Sequence, residues 1–103
     1  MPPYRFAKTI FSDHSAKLIE LLRKARLDAD LTQIEAAELL GCRQTFVSKI
    51  ECGERRLDVV EFAVICLAYG VSPGAFLNSF VRQAGLHAQG DKPAGKPRKV
   101  KRK

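Results

Sequence analysis

The chain has 103 residues, 46% of them hydrophobic and 28% charged, enough for one domain with one core and too little for two. Its formal charge of +7 is unevenly placed, because residues 1–90 hold 11 Lys/Arg against 10 Asp/Glu while residues 91–103 hold 7 Lys/Arg against Asp91 alone. No stretch approaches the ~20 apolar residues of a membrane span, the first residues lack the apolar run of a secretory signal, and three cysteines without a C-x-x-C pair fit a reducing compartment, so a soluble cytoplasmic protein is expected.

In chain order, residues 1–11 form an arm with Pro2, Pro3, Tyr4, Phe6, Ile10 and Phe11. It is too apolar for a simple leader and lacks helical period, so its second half is expected to pack on the domain. Ser12 is the expected N-cap of a first helix running to about Ala29, with Leu18, Leu22 and Ala25 on one stripe and Ile19 and Leu21 beside it.

Leu31 to Asp58 then places two short capped helices around one glycine. Thr32 and Glu35 have capping-box spacing and open a helix that can run only to Gly41; a second short helix starts near Gln44 and stops at Gly53. Helices of about two turns are unstable alone and need flanking helices to pack on. Asp58 and Glu61 repeat the capping-box pattern for a fourth helix, in which Val59, Phe62, Ala63, Cys66 and Leu67 follow an apolar helical stripe. Gly70 ends it. Ser72-Pro73 supplies a cap and an N1 proline for a fifth helix bearing Phe76, Leu77, Phe80 and Val81, which fades near Gly85. The expected organisation is an arm at 1–11, an all-α five-helix domain at 12–85 and a basic tail at 86–103. The tail, with no core residue after Gly90 except Val100, is expected to stay disordered and to follow any duplex as a polycation.

Arg26, Thr32-Gln33, Ala37, Leu40-Gly41, Val47-Ser48-Lys49-Ile50-Glu51, Gly53 and Gly70-Val71 together resemble the lambda repressor/Cro-like helix-turn-helix family, also called XRE. The resemblance covers about residues 16–80. It implies a five-helix domain that binds double-stranded DNA sequence-specifically, as a homodimer on a two-fold symmetric operator. Ala36 stands where the family commonly has Leu, so Ile34 or Leu39 is expected to compensate. Asp30 stands where Gly often ends helix 1, a place for a left-handed residue. Arg43 replaces the usual Ser or Thr cap of the recognition helix.

A helix in the major groove shows base edges only its outer N-terminal side chains. With Val47 and Ile50 inward, Gln44, Thr45 and Lys49 fall on the family's base-reading positions, and their chemistry suits adenine, a thymine methyl and guanine respectively. Gln33 resembles the family's phosphate-contacting glutamine. Arg43, Ser48, Arg55 and Arg56 are the other candidates for the DNA backbone, although Arg55 could equally be an ordinary surface charge. Phe46 either touches thymine methyls or packs on the end of helix 2, the reading preferred. Arg26 and Glu51 match positions that pair across the domain in the family. Phe76, Leu77, Phe80 and Val81 are the expected dimer contact, and Glu20, Asp28, Glu38 and Glu61 are expected on faces away from the recognition helix.

Catalysis finds no support. His14 and His87 lie at opposite ends of the domain, no base is spaced to serve a nucleophile, and Cys42, Cys52 and Cys66 read as buried or half-buried small hydrophobes rather than metal ligands. No enzyme activity, cofactor or metal is expected. The leading reading is a repressor; an antitoxin with a toxin partner, a restriction–modification controller, and a protein-interaction module with a weakly nucleic-acid-binding tail are the competing ones.

Overall fold

The computed structural model describes residues 13–86. The arm at 1–11, the Ser12 cap, His87 and the tail beyond it lie outside the described residues. Within them the chain forms α1 (Asp13–Asp28), α2 (Gln33–Leu40), α3 (Gln44–Glu51), α4 (Val59–Ala68) and α5 (Pro73–Ala84). There is no strand among the described residues, in agreement with the all-α, five-helix expectation.

Both capping boxes are present. Thr32 Oγ1 accepts from the Glu35 N–H at 3.0 Å while the Thr32 N–H donates to Glu35 Oε1 at 2.9 Å. Asp58 and Glu61 repeat the exchange at the start of α4, and Ser72 caps α5 ahead of Pro73. The C-terminal ends share one geometry. A residue of positive φ follows each helix, and the next N–H reaches back to the carbonyl five residues earlier, as in Leu31 to Arg26 and Cys42 to Ala37. After α1 the positive φ falls on Asp30, at 63°, whose short polar side chain tolerates that region better than most.

The core is built where α3 lies against α1 and α2, and α4 against α2 and α5. Leu22 and Ala25 from α1, Ala36 and Ala37 from α2, Val47 and Ile50 from α3, and Ile65 and Tyr69 at the end of α4 form one buried cluster. Ala36 is fully covered, and Ile34 and Leu39, expected to compensate for its small size, both stay exposed. They lie on the side of α2 that faces away from its partners, so they cannot fill the space beside it.

The stripe expected on α4 needs correction. Ile65, Cys66 and Tyr69 are buried and Phe62 is half-buried, but Val59 is 81% and Leu67 66% exposed. Nine of the ten residues from Val59 to Ala68 are apolar, so periodicity does not single out one face; contact with α2 and α5 does. Cys66 is buried and Cys42 half-buried, as expected, but Cys52 is exposed because it caps α3 beyond the last core contact. Burial raises the Cys42 and Cys66 thiols above the usual range, which keeps them protonated and inert.

Candidate nucleic-acid interface

α3 is held by its inner face. Val47 and Ile50 are buried, while Gln44, Thr45 and Lys49 are exposed and Ser48 and Phe46 are half-buried. Gly41 makes the turn from α2 into α3 short: its φ of 70° is open to glycine at no steric cost. Arg43 occupies the N-cap in extended conformation, makes no side-chain cap and is exposed.

Behind this face runs a polar chain whose hydrogen-bond directions follow from one another. Arg26 and Glu51 meet with side chains only 6% exposed: Arg26 Nε donates to Glu51 Oε2 at 2.7 Å and Nη2 donates to Oε1 at 3.0 Å. Arg26 Nη1 also donates to the Leu31 carbonyl at 2.7 Å. Arg23 stands further off, its Nε 3.9 Å from Glu51 Oε1. Gln33 Nε2 donates to Glu51 Oε1 at 3.0 Å, and Gln44 Nε2 donates to Gln33 Oε1 at 2.7 Å. A carboxylate only accepts, so Gln33 must turn its NH₂ to Glu51 and its carbonyl to Gln44. Gln44 must then donate, which leaves its own carbonyl and its second N–H for a ligand. The guanidinium hydrogen bonds are also the leading cause of the raised pKa of Arg26. Tyr69 lies next to this pair; burial, and after it the Glu51 carboxylate, push its hydroxyl up to about 12, so it stays neutral.

On the other side of α3, the expected faces change. Arg55 Nη1 and Nη2 donate to Glu61 Oε1 and Oε2 at 3.1 and 3.0 Å, Nη1 also donates to the Arg56 carbonyl at 2.7 Å, and the guanidinium sits 4.4 Å from the centre of the Phe46 ring. Glu61 therefore lies beside the recognition helix and not on a distant face. Phe46 packs on the core cluster and beneath Arg55. This clasp joins α3, the loop and the first turn of α4. A bidentate partner six residues from Arg55 lies outside the spacings that local helix pairs use, so the sequence carries no signal for it.

The clasp depends on pH. The Arg55 hydrogen bonds, then that from the Asp58 N–H, hold the Glu61 carboxyl below its usual range. Its folded pKa is thus below the unfolded value of about 4.3. The contribution to stability is complete above that value and is lost as pH falls through the folded one. Glu61→Gln is expected to flatten the acid limb of the stability curve, read by urea unfolding at stepped pH. An unchanged limb would mean that Arg55 and Glu61 do not pair in solution.

The four residues expected at a dimer contact are not alike. Phe76 is half-buried on the core, its ring edge-on to Phe62 at 5.3 Å. Phe80 is also half-buried, while Leu77 is 47% exposed and Val81 is exposed. Among the described residues no group of His, Cys, Asp and Glu is placed to hold a metal, and no single helix is long and apolar enough to cross a membrane.

A protein-family model described as Helix-turn-helix matches residues 22–76, which takes in α2 and α3 with parts of both flanks. The structure is similar to that of an XRE-family like protein from Pseudomonas syringae pv. tomato str. DC3000, at 42% identity and TM-score 0.69 over 78% of this chain and 98% of that one. The chain belongs to the XRE-like helix-turn-helix family. The chain is also similar to the restriction-modification controller protein C.Esp1396I, whose tetramer was solved in complex with its natural 35 base-pair operator (25% identity, TM-score 0.64, 71% of this chain and 96% of that one). A third similar structure is the clp gene regulator ClgR from Corynebacterium glutamicum (25% identity, TM-score 0.64, 73% of this chain and 80% of that one). No curated protein matches the sequence significantly. Family membership makes the chain a DNA-binding transcriptional regulator.

Proposed function

We propose that this protein is a repressor that binds a two-fold symmetric operator as a homodimer and reads it with Gln44, Thr45 and Lys49. The observation that carries this reading is the hydrogen-bonded chain from Glu51 through Gln33 to Gln44, which leaves the Gln44 amide with one acceptor and one donor outward. Adenine offers the complement, N6–H₂ and N7, in the major groove. Thr45 and Lys49 flank it on the same exposed face. Gln33 opens α2, where the first backbone N–H groups have no partner in the helix and suit a phosphate oxygen. Arg43, Ser48 and Arg56 supply further backbone contacts. Arg55, engaged with Glu61 and Phe46, contributes mainly by holding the loop.

Gln44→Ala, Thr45→Ala and Lys49→Ala are each expected to cost ~1–3 kcal/mol on the preferred duplex and little on random DNA. The preferred duplex comes from selection out of a random oligonucleotide pool, and sedimentation of the complex counts protomers. Equal loss on specific and random duplexes would refute base reading; one protomer on a non-symmetric site would refute the dimer. The exposed Leu77 and Val81, with Phe80 beside them, are the surface proposed for the dimer contact. The similarity to C.Esp1396I favours a second reading, control of a restriction–modification operon, in which the same DNA chemistry serves a different set of genes.

A further inference from the structure

Glu51 closes α3, and its Oε1 is a crowded acceptor. It takes one N–H from Arg26 Nη2 and one from Gln33 Nε2, each at 3.0 Å, which occupies both lone pairs of that oxygen. Arg23 lies one turn before Arg26 on the same side of α1, and it stops short: its Nε is 3.9 Å from the same oxygen, beyond hydrogen-bond reach. The carboxylate attracts this guanidinium by charge without engaging its donors, and the side chain stays 62% exposed.

The other cations of α1 are placed differently. Arg26 is held by Glu51 and the Leu31 carbonyl with a side chain only 6% exposed, so it cannot reach a ligand. Lys17 and Lys24 pair within α1 with Glu20 and Asp28, at 3.1 and 2.9 Å, and Lys24 lines the groove between α1 and α5. Among the cations of α1, Arg23 combines exposure with a place beside Gln33, the first residue of α2. In a helix-turn-helix the helix before the reading helix crosses the DNA backbone, so a cation beside the start of α2 faces phosphates.

We propose that Arg23 is a DNA-backbone contact on α1, a phosphate-binding guanidinium that Glu51 steers by charge while Gln33 and Arg26 occupy the carboxylate. Its planar fork of N–H donors suits two phosphate oxygens at once. The contact rests on the proposed DNA-binding face of α2 and α3, but not on which bases Gln44, Thr45 and Lys49 read. It adds affinity on every duplex and no sequence preference.

Anisotropy titrations of the full chain against a random-sequence duplex and the selected duplex, over a series of salt concentrations, test the contact. Arg23→Ala is expected to weaken both duplexes several-fold and alike, and to flatten the slope of log K against log salt by roughly 0.9 for each protomer bound. Arg23→Lys is expected to keep the slope and lose only part of the affinity, since an ammonium replaces the charge but not the fork. Lys24→Ala, the control next to it in sequence, is expected to leave slope and affinity nearly unchanged. An unchanged slope for Arg23→Ala, or equal flattening for Lys24→Ala, would overturn the contact and make Arg23 an ordinary surface charge. Loss confined to the selected duplex would overturn it too, by making Arg23 a support for Gln33 and Gln44. A chain without a preferred duplex would refute base reading, whereas a slope on random DNA that still flattens in Arg23→Ala would leave the Arg23 contact standing.

Discussion

Glu51→Ala is expected to lower the unfolding free energy by ~3–5 kcal/mol, because it strands a buried guanidinium. Arg26 would keep the Leu31 carbonyl but lose both bonds to the carboxylate, with only 5% of the residue exposed to water. Gln33 would lose the acceptor that sets its direction. A domain of this size is typically stable by only ~5–15 kcal/mol, so the variant is expected to unfold at much lower urea than the parent. Loss below ~1 kcal/mol would mean that the pair behaves as a surface ion pair in solution. The double change Arg26→Met with Glu51→Leu removes both charges together. It is expected to restore much of the stability while DNA discrimination stays poor, since Gln33 and Gln44 no longer have a carboxylate to orient them.

Ile50→Ala is the second large effect, at ~2–5 kcal/mol of stability. Ile50 is buried on α3 and borders, with Leu22, Leu40, Val47, Ile65 and Tyr69, a space that is already nearly filled. Truncation leaves a void that rigid helix packing closes only in part. Leu67→Ala removes the same number of carbon atoms from an apolar helix but is expected to change stability by no more than ~0.5 kcal/mol, because Leu67 faces water. Urea unfolding of both variants at low protein concentration checks the contrast. Equal losses would mean that Leu67 is covered in solution, by a second copy of the chain.

Local signals in the sequence were strong where the physics is local. Thr32 with Glu35, Asp58 with Glu61, and Ser72 with Pro73 mark helix starts because a cap acts over three residues. Gly41, Gly53, Gly70 and Gly85 mark the ends because positive φ is a property of one residue. The outward set on α3 was legible from Val47 and Ile50, since an eight-residue helix with two core anchors has one outer face. The buried side of α4 was not legible, because a helix apolar nearly all round carries no period to read.

The chain's own order of residues thus determined five helices, their limits and the side of α3 that is turned outward, all of which follow from interactions within one or two turns. Only the tertiary structure decided that Gln33 links Glu51 to Gln44, that Arg55 closes on Glu61 over Phe46, and that Tyr69 rather than Leu67 completes the core. Those contacts join residues on different helices or on the loops between them. Their energies depend on distances and burial that exist only once the helices have packed, and no spacing along the chain encodes them.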